Sequence, residues 1–320
     1  MSEFLMSLIP WGTKAILWVQ SFSNPFLDGL LTVATFLGEE EFYLIFLPLI
    51  YWCLNKRIGM RLAYACLLST YLNLFLKDLF GIPRPDDPRI RFLRKETTPS
   101  FPSNHAQGAV VTWGYLATQW ENRAFWVVAI VLIVLNSLSR VYLGVHFPQD
   151  QVGGIAIGVL YLLAFNWVTA KQGGALAEFP LAAKSILAVL LPIALLVVHP
   201  SEETAMCMGA LAGMGLGFLL EDRFVGFSAE GLWWRRVLRL PMGLILVIVF
   251  YVGLKALFPA EVAPSFALAW RAIRYGVVGV VGTFLAPWIF VKAALAEAKG
   301  VRSESLESTR GAPSLPPHPQ

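Results

Sequence analysis

The sequence predicts an all-α protein, a polytopic bundle of transmembrane helices. Hydrophobic residues fill 57% of its 320 positions and charged residues only 14%, against roughly 25% charged in an ordinary soluble domain. The charges are also clustered. Residues 84–96 carry eight, whereas 97–120, 124–139, 151–170, 185–201, 204–220 and 275–291 carry none. Such charge-free runs approach or reach the ~20 residues that a helix needs to cross a bilayer. The mean hydropathy of +0.62 agrees. A soluble enzyme, a disordered chain and a disulfide-stapled secreted domain are thereby excluded.

Residues 1–23 read as an N-terminal interfacial segment, because Trp11, Trp18 and Phe22 stand among polar positions. The early Glu3 and the want of a small-residue cleavage site speak against a cleavable signal. Ten spans are expected at 24–38, 42–55, 58–80, 106–120, 124–140, 151–170, 183–199, 204–220, 237–257 and 273–293. The first two are short and interrupted by Glu39–Glu41, as in a re-entrant pair or two tilted helices. Gly209, Gly213, Gly215 and Gly217 have the spacing of close helix packing. Residues 299–320, rich in Ser and Pro, read as a disordered cytoplasmic tail. Cys53, Cys66 and Cys207 lie in apolar segments and read as packing residues.

Alternating the spans sorts the loops onto two faces. One face holds 55–61, 121–123, 171–182, 221–236 and the tail, with Lys56, Arg57, Arg61, Arg123, Lys171, Arg223, Arg235 and Arg236 among its cations. Positive-inside logic makes that face cytoplasmic, although Arg89, Arg91, Arg94 and Lys95 on the other face count against it. The net charge of +4 has no basic stripe with interleaved aromatics, so nucleic acid is not an expected partner.

Three polar clusters fall on the outward face, at the ends of apolar spans. The first is Lys77-Asp78-Leu79-Phe80-Gly81-Ile82-Pro83-Arg84-Pro85, the second Pro102-Ser103-Asn104-His105, and the third Ser139-Arg140 followed by His146 and Asp150. Lys77, Arg84 and Arg140 bring three cations to a membrane boundary, where charges are expensive and mark function. Arg forks match phosphate oxygens and Lys adds a point charge. Ser103, with the amides of Asn104 and His105, precedes a span and forms a helix N-terminus, a ready anion site. His146 and Asp150 are four apart, so a helix would put them on one face. A carboxylate holding one imidazole N–H leaves the other nitrogen free to attack.

Lys-x6-Arg-Pro, Pro-Ser-x-His and Ser-Arg-x5-His-x3-Asp, in that order, resemble the tripartite signature of the type 2 phosphatidic acid phosphatase (lipid phosphate phosphatase) superfamily. The extra C-terminal spans and the wording Pro-Ser-x-His-Ala are similar to its sphingosine-1-phosphate phosphatase branch. The resemblance implies a six-helix phosphatase core over 24–170, with 171–298 as additional transmembrane helices. It implies that Lys77, Arg84 and Arg140 bind the phosphoryl group, assisted by Ser103 and the Asn104 amide. It further implies that His146 attacks phosphorus to form a phosphohistidine, that Asp150 orients His146, and that His105 protonates the leaving oxygen. No metal and no cofactor are implied. Asn104 departs from the commonest pattern, which has Gly there; Asn is the next best tolerated residue at φ > 0, so activity is expected to survive.

The expected function is a metal-independent lipid phosphate phosphatase of the outer, non-cytoplasmic face. Its partners would be the bilayer and an amphiphilic phosphorylated lipid: phosphatidate, phosphatidylglycerol phosphate, an isoprenyl diphosphate or a sphingoid phosphate. A lipid phosphotransferase using the same histidine, and a transporter or flippase, are the competing readings. Outside the signature, His199 and His318 read as incidental, Asp28 as a helix-start residue, and Glu39–Glu41 as capping or separating two spans. The Arg89, Arg91, Arg94 and Lys95 group reads either as a solvated loop or as an attractor of anionic headgroups. Trp233-Trp234-Arg235-Arg236 reads as an interface anchor.

Overall fold

A computed structural model of the chain describes residues 2–94, 96–120, 122–175, 179–257 and 266–298. The expectations for Lys95 and for the tail from 299 lie outside the described residues. Two short helices open the chain, α1 (Ser2–Ser7) and α2 (Ile9–Gln20). Asn24 caps α3 (Pro25–Phe36), its side chain accepting from the Leu27 amide, as Asn before Pro at a helix start should. α4 (Glu40–Pro48) runs on as a π-helical turn, Leu49–Leu54. Asn55 then caps the long α5 (Lys56–Phe80), accepting from the amides of Arg57 and Ile58. A loop of more than twenty residues leads to α6 (Asn104–Ala109), which continues through a π-helical turn, Val110–Gly114, into α7 (Tyr115–Trp120).

α8 (Arg123–Tyr142) and α9 (Pro148–Ala175) complete the first bundle. Four further helical units follow: α10 (Leu181–Val198), α11 (Glu202–Phe224), α12 (Trp233–Leu257), and α13 (Ala267–Val280) joined through Val281–Leu285 to α14 (Ala286–Lys292). Among the described residues, seven helices are long and apolar enough to cross a membrane: those starting at Lys56, Arg123, Pro148, Leu181, Glu202, Trp233 and Ala267. The other three expected spans are shorter. α3 has 12 residues, and the runs at 40–54 and 104–120 are assembled from short helices around π turns. α3 starts at its Asn24 cap and ends at Phe36, short of the expected 24–38, while the other two runs keep about their expected lengths but are interrupted by the π turns.

The apolar exposure pattern makes the protein an integral, multi-pass membrane protein. On α8, Val127, Ile130, Val131, Val134 and Leu138 form one exposed stripe at helical spacing, a face that suits hydrocarbon and would be a liability in water. Inside, Ile50, Leu62, Ala109, Trp113, Leu116, Ala129 and Leu162 pack α4 to α9 around α5. A second cluster, with Tyr51, Trp52, Met60, Phe227 and Phe290, ties the first bundle to the C-terminal helices at the opposite end. There Lys56 Nζ meets Glu221 at 2.7 Å in a buried ion pair. Arg239, fully buried, donates to the carbonyls of Trp52, Ala229, Glu230 and Leu295.

Gly209, Gly213 and Gly217, at four-residue spacing, put the backbone of α11 directly on Ala272, Gly276 and Val280 of α13. A Cβ at Gly209 or Gly213 would collide with the backbone of α13, and one at Gly217 with the Thr283 hydroxyl in the turn that follows it, which is the small-residue packing expected in a membrane. Gly215 faces the other way, towards Tyr64 and Ala188.

Candidate active site

The C-terminal ends of α3, α5 and α8 meet the N-terminal ends of α4, α6 and α9 at one end of the first bundle. That antiparallel arrangement gathers all three polar clusters. α5 stops on Gly81, whose φ of 59° turns the chain out of the helix one turn after Lys77. The following loop crosses the bundle end, burying Ile82, Ile90, Ser100 and Phe101.

His146 sits in the tight turn between α8 and α9 and is 1% exposed. Asp150, in the first turn of α9, gathers the groups around it onto Oδ2. The Phe147 amide donates at 2.8 Å, the Ser100 hydroxyl donates, and His146 Nδ1 lies at 3.2 Å. On the other side of the ring, Arg84 Nη1 lies 3.2 Å from His146 Nε2. A guanidinium only donates, so the network assigns the proton to Nδ1, held by Asp150, and the lone pair to Nε2. Nε2 therefore carries the lone pair, and it faces the cations.

Burial first, and then the charges of Arg84, Arg140 and Lys77, push the His146 imidazole well below its ordinary value of 6.5. A lowered value keeps Nε2 unprotonated through neutral pH and into mild acid. Any turnover that needs this lone pair is accordingly expected to have the acid limb of its kcat/KM, corrected for ionisation of the assay substrate, below pH 6.5. A limb at or above 6.5 would show that His146 is not held neutral in this way.

The cations form a cradle whose donors are taken by the crossing loop, the α8–α9 turn and the end of α3. Lys77 Nζ donates to Thr98 Oγ1 at 2.8 Å. Arg84 donates to the Thr98 carbonyl at 2.6 Å, to Thr98 Oγ1 at 3.1 Å and to the Val145 carbonyl at 2.8 Å. Arg140 donates through Nη1 to Thr35 Oγ1 at 2.8 Å and through Nη2 to Glu96 Oε1 at 2.5 Å, while its Nε is buried without a partner. The other Glu96 oxygen lies 3.8 Å from Arg84 Nη2. A single carboxylate thus bridges two guanidinium groups, as two oxygens of a phosphate would.

His105, in the first turn of α6, points Nε2 at Glu39 Oε1, 3.2 Å away. The same carboxylate pairs with Arg94 and lies 3.6 Å from Arg140 Nη1. The close seat of the α3–α4 turn on His105 requires Gly38, where a Cβ would run into the imidazole. Ser103 is fully buried and caps α6, accepting from the Ala106 amide at 3.4 Å, while its own amide donates to the Asp150 carbonyl. Asn104, the first residue of α6, is partly exposed beside it.

Lys77, Arg84, His105, Arg140, His146 and Asp150 therefore come together around one cradle, and the Ser103 hydroxyl is committed to capping the helix beneath it. Sequence reasoning missed Thr35, Glu39, Glu96, Thr98 and Ser100. Glu39 was legible as a carboxylate between two apolar runs, and Glu96 as the acid closest to the second cluster. Thr35, Thr98 and Ser100 had no such signal. Glu39 provides no side-chain cap to α4 and turns into the site. Asp28 is no simple helix-start residue either, since it accepts from Arg91 and from the Tyr142 hydroxyl, each at 2.5 Å, and so pins the loop. His199 lies between Asp78 at 2.8 Å and Thr204 at 2.7 Å, linking α5 to α11.

A membrane bundle with a cluster of cations facing a buried, carboxylate-paired imidazole defines the class: an integral membrane protein with a polar, cation-rich site at one end of its helices. The comparisons specify it further. Residues 58–173 match the PAP2 superfamily, and residues 205–298 match the PAP2 superfamily phosphatase, transmembrane extension. The chain belongs to the PAP2 superfamily. It is 29% identical to lipid phosphate phosphatase delta of Arabidopsis thaliana, over 53% of this chain and 46% of that one. It is 28% identical to a probable sphingosine-1-phosphate phosphatase of Dictyostelium discoideum, over 68% and 58%. With human sphingosine-1-phosphate phosphatase 2 it shares 27% identity over 65% and 56%. The chain thus spans about half to three-fifths of the length of these relatives.

Proposed function

We propose that the protein is a lipid phosphate phosphatase that hydrolyses a phosphomonoester headgroup through a phosphohistidine. The observation that carries this reading is the lone pair of His146 Nε2 aimed into the cradle, with Asp150 holding Nδ1–H behind it. Phosphate oxygens take the donors of Lys77, Arg84 and Arg140, with Ser103 holding the helix terminus and the Asn104 amide assisting. His146 Nε2 attacks phosphorus as the bond to the lipid alcohol breaks. His105 gives its proton to that leaving oxygen. Water then attacks the phosphohistidine, releases inorganic phosphate and restores both imidazoles. The cations stabilise the charge spread over the equatorial oxygens in both steps.

Residues 24–170 would form the catalytic unit and 171–298 an added membrane bundle. The end opposite the site carries Lys56, Arg57, Arg61, Arg223, Arg235 and Arg236, so by the positive-inside rule the site faces away from the cytoplasm. Sphingoid-base phosphates lead the substrate candidates, because two of the relatives described are sphingosine-1-phosphate phosphatases by name.

The test is phosphate release by detergent-purified protein from phosphatidate, phosphatidylglycerol phosphate, an isoprenyl diphosphate and a sphingoid phosphate, each with EDTA present. Release that survives EDTA, fastest from the sphingoid phosphate, is expected. No release from any of the four would overturn the proposal.

A further inference from the structure

The site holds two carboxylate–imidazole pairs. In one, Asp150 Oδ2 lies 3.2 Å from Nδ1 of His146. In the other, Glu39 Oε1 lies 3.2 Å from Nε2 of His105. Glu39 reaches this place from the turn between α3 and α4, 66 residues away from its partner in the chain. It gives α4 no side-chain cap, so the helix start does not explain it. Its side chain is only 18% exposed, where an ionised carboxylate is costly unless paired. Arg94 pairs with it and Arg140 Nη1 lies 3.6 Å away, so its charge is met without His105. The backbone is nevertheless fitted to the imidazole. Gly38 leaves room where a Cβ would run into Cδ2 of His105, the carbon bonded to Nε2.

An ionised carboxylate only accepts, so the proton stays on Nε2 and Nδ1 is the nitrogen left to exchange one. The arrangement at His146 is repeated with the two ring nitrogens interchanged. In the empty site burial first, and then the Arg140 charge, push the His105 imidazole down to about 4. The hydrogen bond and charge of Glu39, and the charge of Glu96, oppose them. A phosphate dianion seated on Arg140 offsets the charge that repels the second proton. That proton then arrives with the substrate, and Glu39 faces the imidazolium it forms.

We infer that Glu39 is the positioning residue of the proton donor, holding Nε2–H of His105 so that Nδ1 serves the leaving oxygen. The inference rests on the proposed function and deepens it. As the bond between phosphorus and the lipid oxygen breaks, that oxygen takes the Nδ1 proton and His105 becomes neutral. When water attacks the phosphohistidine, Nδ1 accepts the proton that the water loses. Nε2–H stays on Glu39 throughout.

The test compares two leaving groups of unequal need in one detergent. Octadecyl phosphate must expel an alkoxide unless it is protonated, whereas the phenolate of p-nitrophenyl phosphate leaves without a proton. kcat/KM reports the steps up to cleavage of that bond, so it separates the acid from the later attack of water. In Glu39→Gln the ratio of kcat/KM for octadecyl phosphate to that for p-nitrophenyl phosphate should fall about 10²-fold. Any effect through Arg140, which would bind both phosphates, cancels in the ratio. Glu39→Asp, which keeps the carboxylate, should recover part of the ratio. Gly38→Ala, which keeps Glu39 but crowds Cδ2 of His105, should lower it as Glu39→Gln does. In a His105→Ala background Glu39→Gln should lower the ratio no further, because the carboxylate acts through the imidazole. An unchanged ratio in Glu39→Gln, or losses that add to those of His105→Ala, would overturn the inference and leave Glu39 a structural residue. No release from either substrate by the wild-type protein would overturn the proposed function, and the inference with it.

Discussion

His146→Ala is expected to lower phosphate release by at least about 10⁴-fold, the scale on which loss of a covalent nucleophile is felt. The substitution removes the nitrogen whose lone pair the network directs at the cradle. It leaves Asp150 Oδ2 with the Phe147 amide and the Ser100 hydroxyl, and the turn between α8 and α9 keeps its backbone bonds and the Arg84 bond to the Val145 carbonyl. Thermal stability should therefore change far less than activity. Binding of a non-hydrolysed phosphate analogue should persist, because the cations remain. Turnover within tenfold of wild type, measured as released phosphate, would show that a different group attacks.

Arg140→Ala has the second largest expected effect, and it acts on two quantities at once. Arg140 is 1% exposed and is shared by Thr35, Glu39 and Glu96. Truncation leaves both carboxylates without their common cation, and breaking a buried pair costs about 3–5 kcal/mol. The midpoint of thermal unfolding should fall clearly. Activity should fall by about 10²–10³-fold as well, because one donor fork to the developing charge is gone. Arg140→Lys separates the two effects. It restores the charge that Glu39 and Glu96 need but not the fork, so stability should return further than kcat. Equal recovery of both, measured side by side, would argue that the fork has no part in turnover.

The all-α membrane architecture was legible in the sequence, because charge-free runs of spanning length admit few other readings. Number and length of spans were less so. Hydropathy over 24–38, 42–55 and 106–120 does not reveal the Asn24 and Ser103 caps or the π-helical turns at 49–54 and 110–114, which depend on packing around Trp52 and Trp113. The site divides along the same line. Residues fixed by spacing, such as His146 and Asp150, were visible because they must act from one helix end. Glu39 and Glu96 stood out only as acids near the clusters, and what they pair with was not visible, since it comes from the meeting of the α3–α4 turn and the crossing loop with Arg140, more than forty residues away in each case. Ser103 shows the reverse. Its position in the motif was plain, but only the fold reveals its hydroxyl to be the cap of α6.

The central claim is that phosphorus passes through a bond to His146 Nε2. The direct measurement is rapid acid-free quenching of purified protein during turnover of a radiolabelled sphingoid phosphate, followed by isolation of labelled protein. The expected result is a phosphoprotein that is stable in base and lost in mild acid, forms before steady-state phosphate release, and is missing in His146→Ala. Steady release of phosphate with no labelled protein at any time, or label that persists in His146→Ala, would contradict the account.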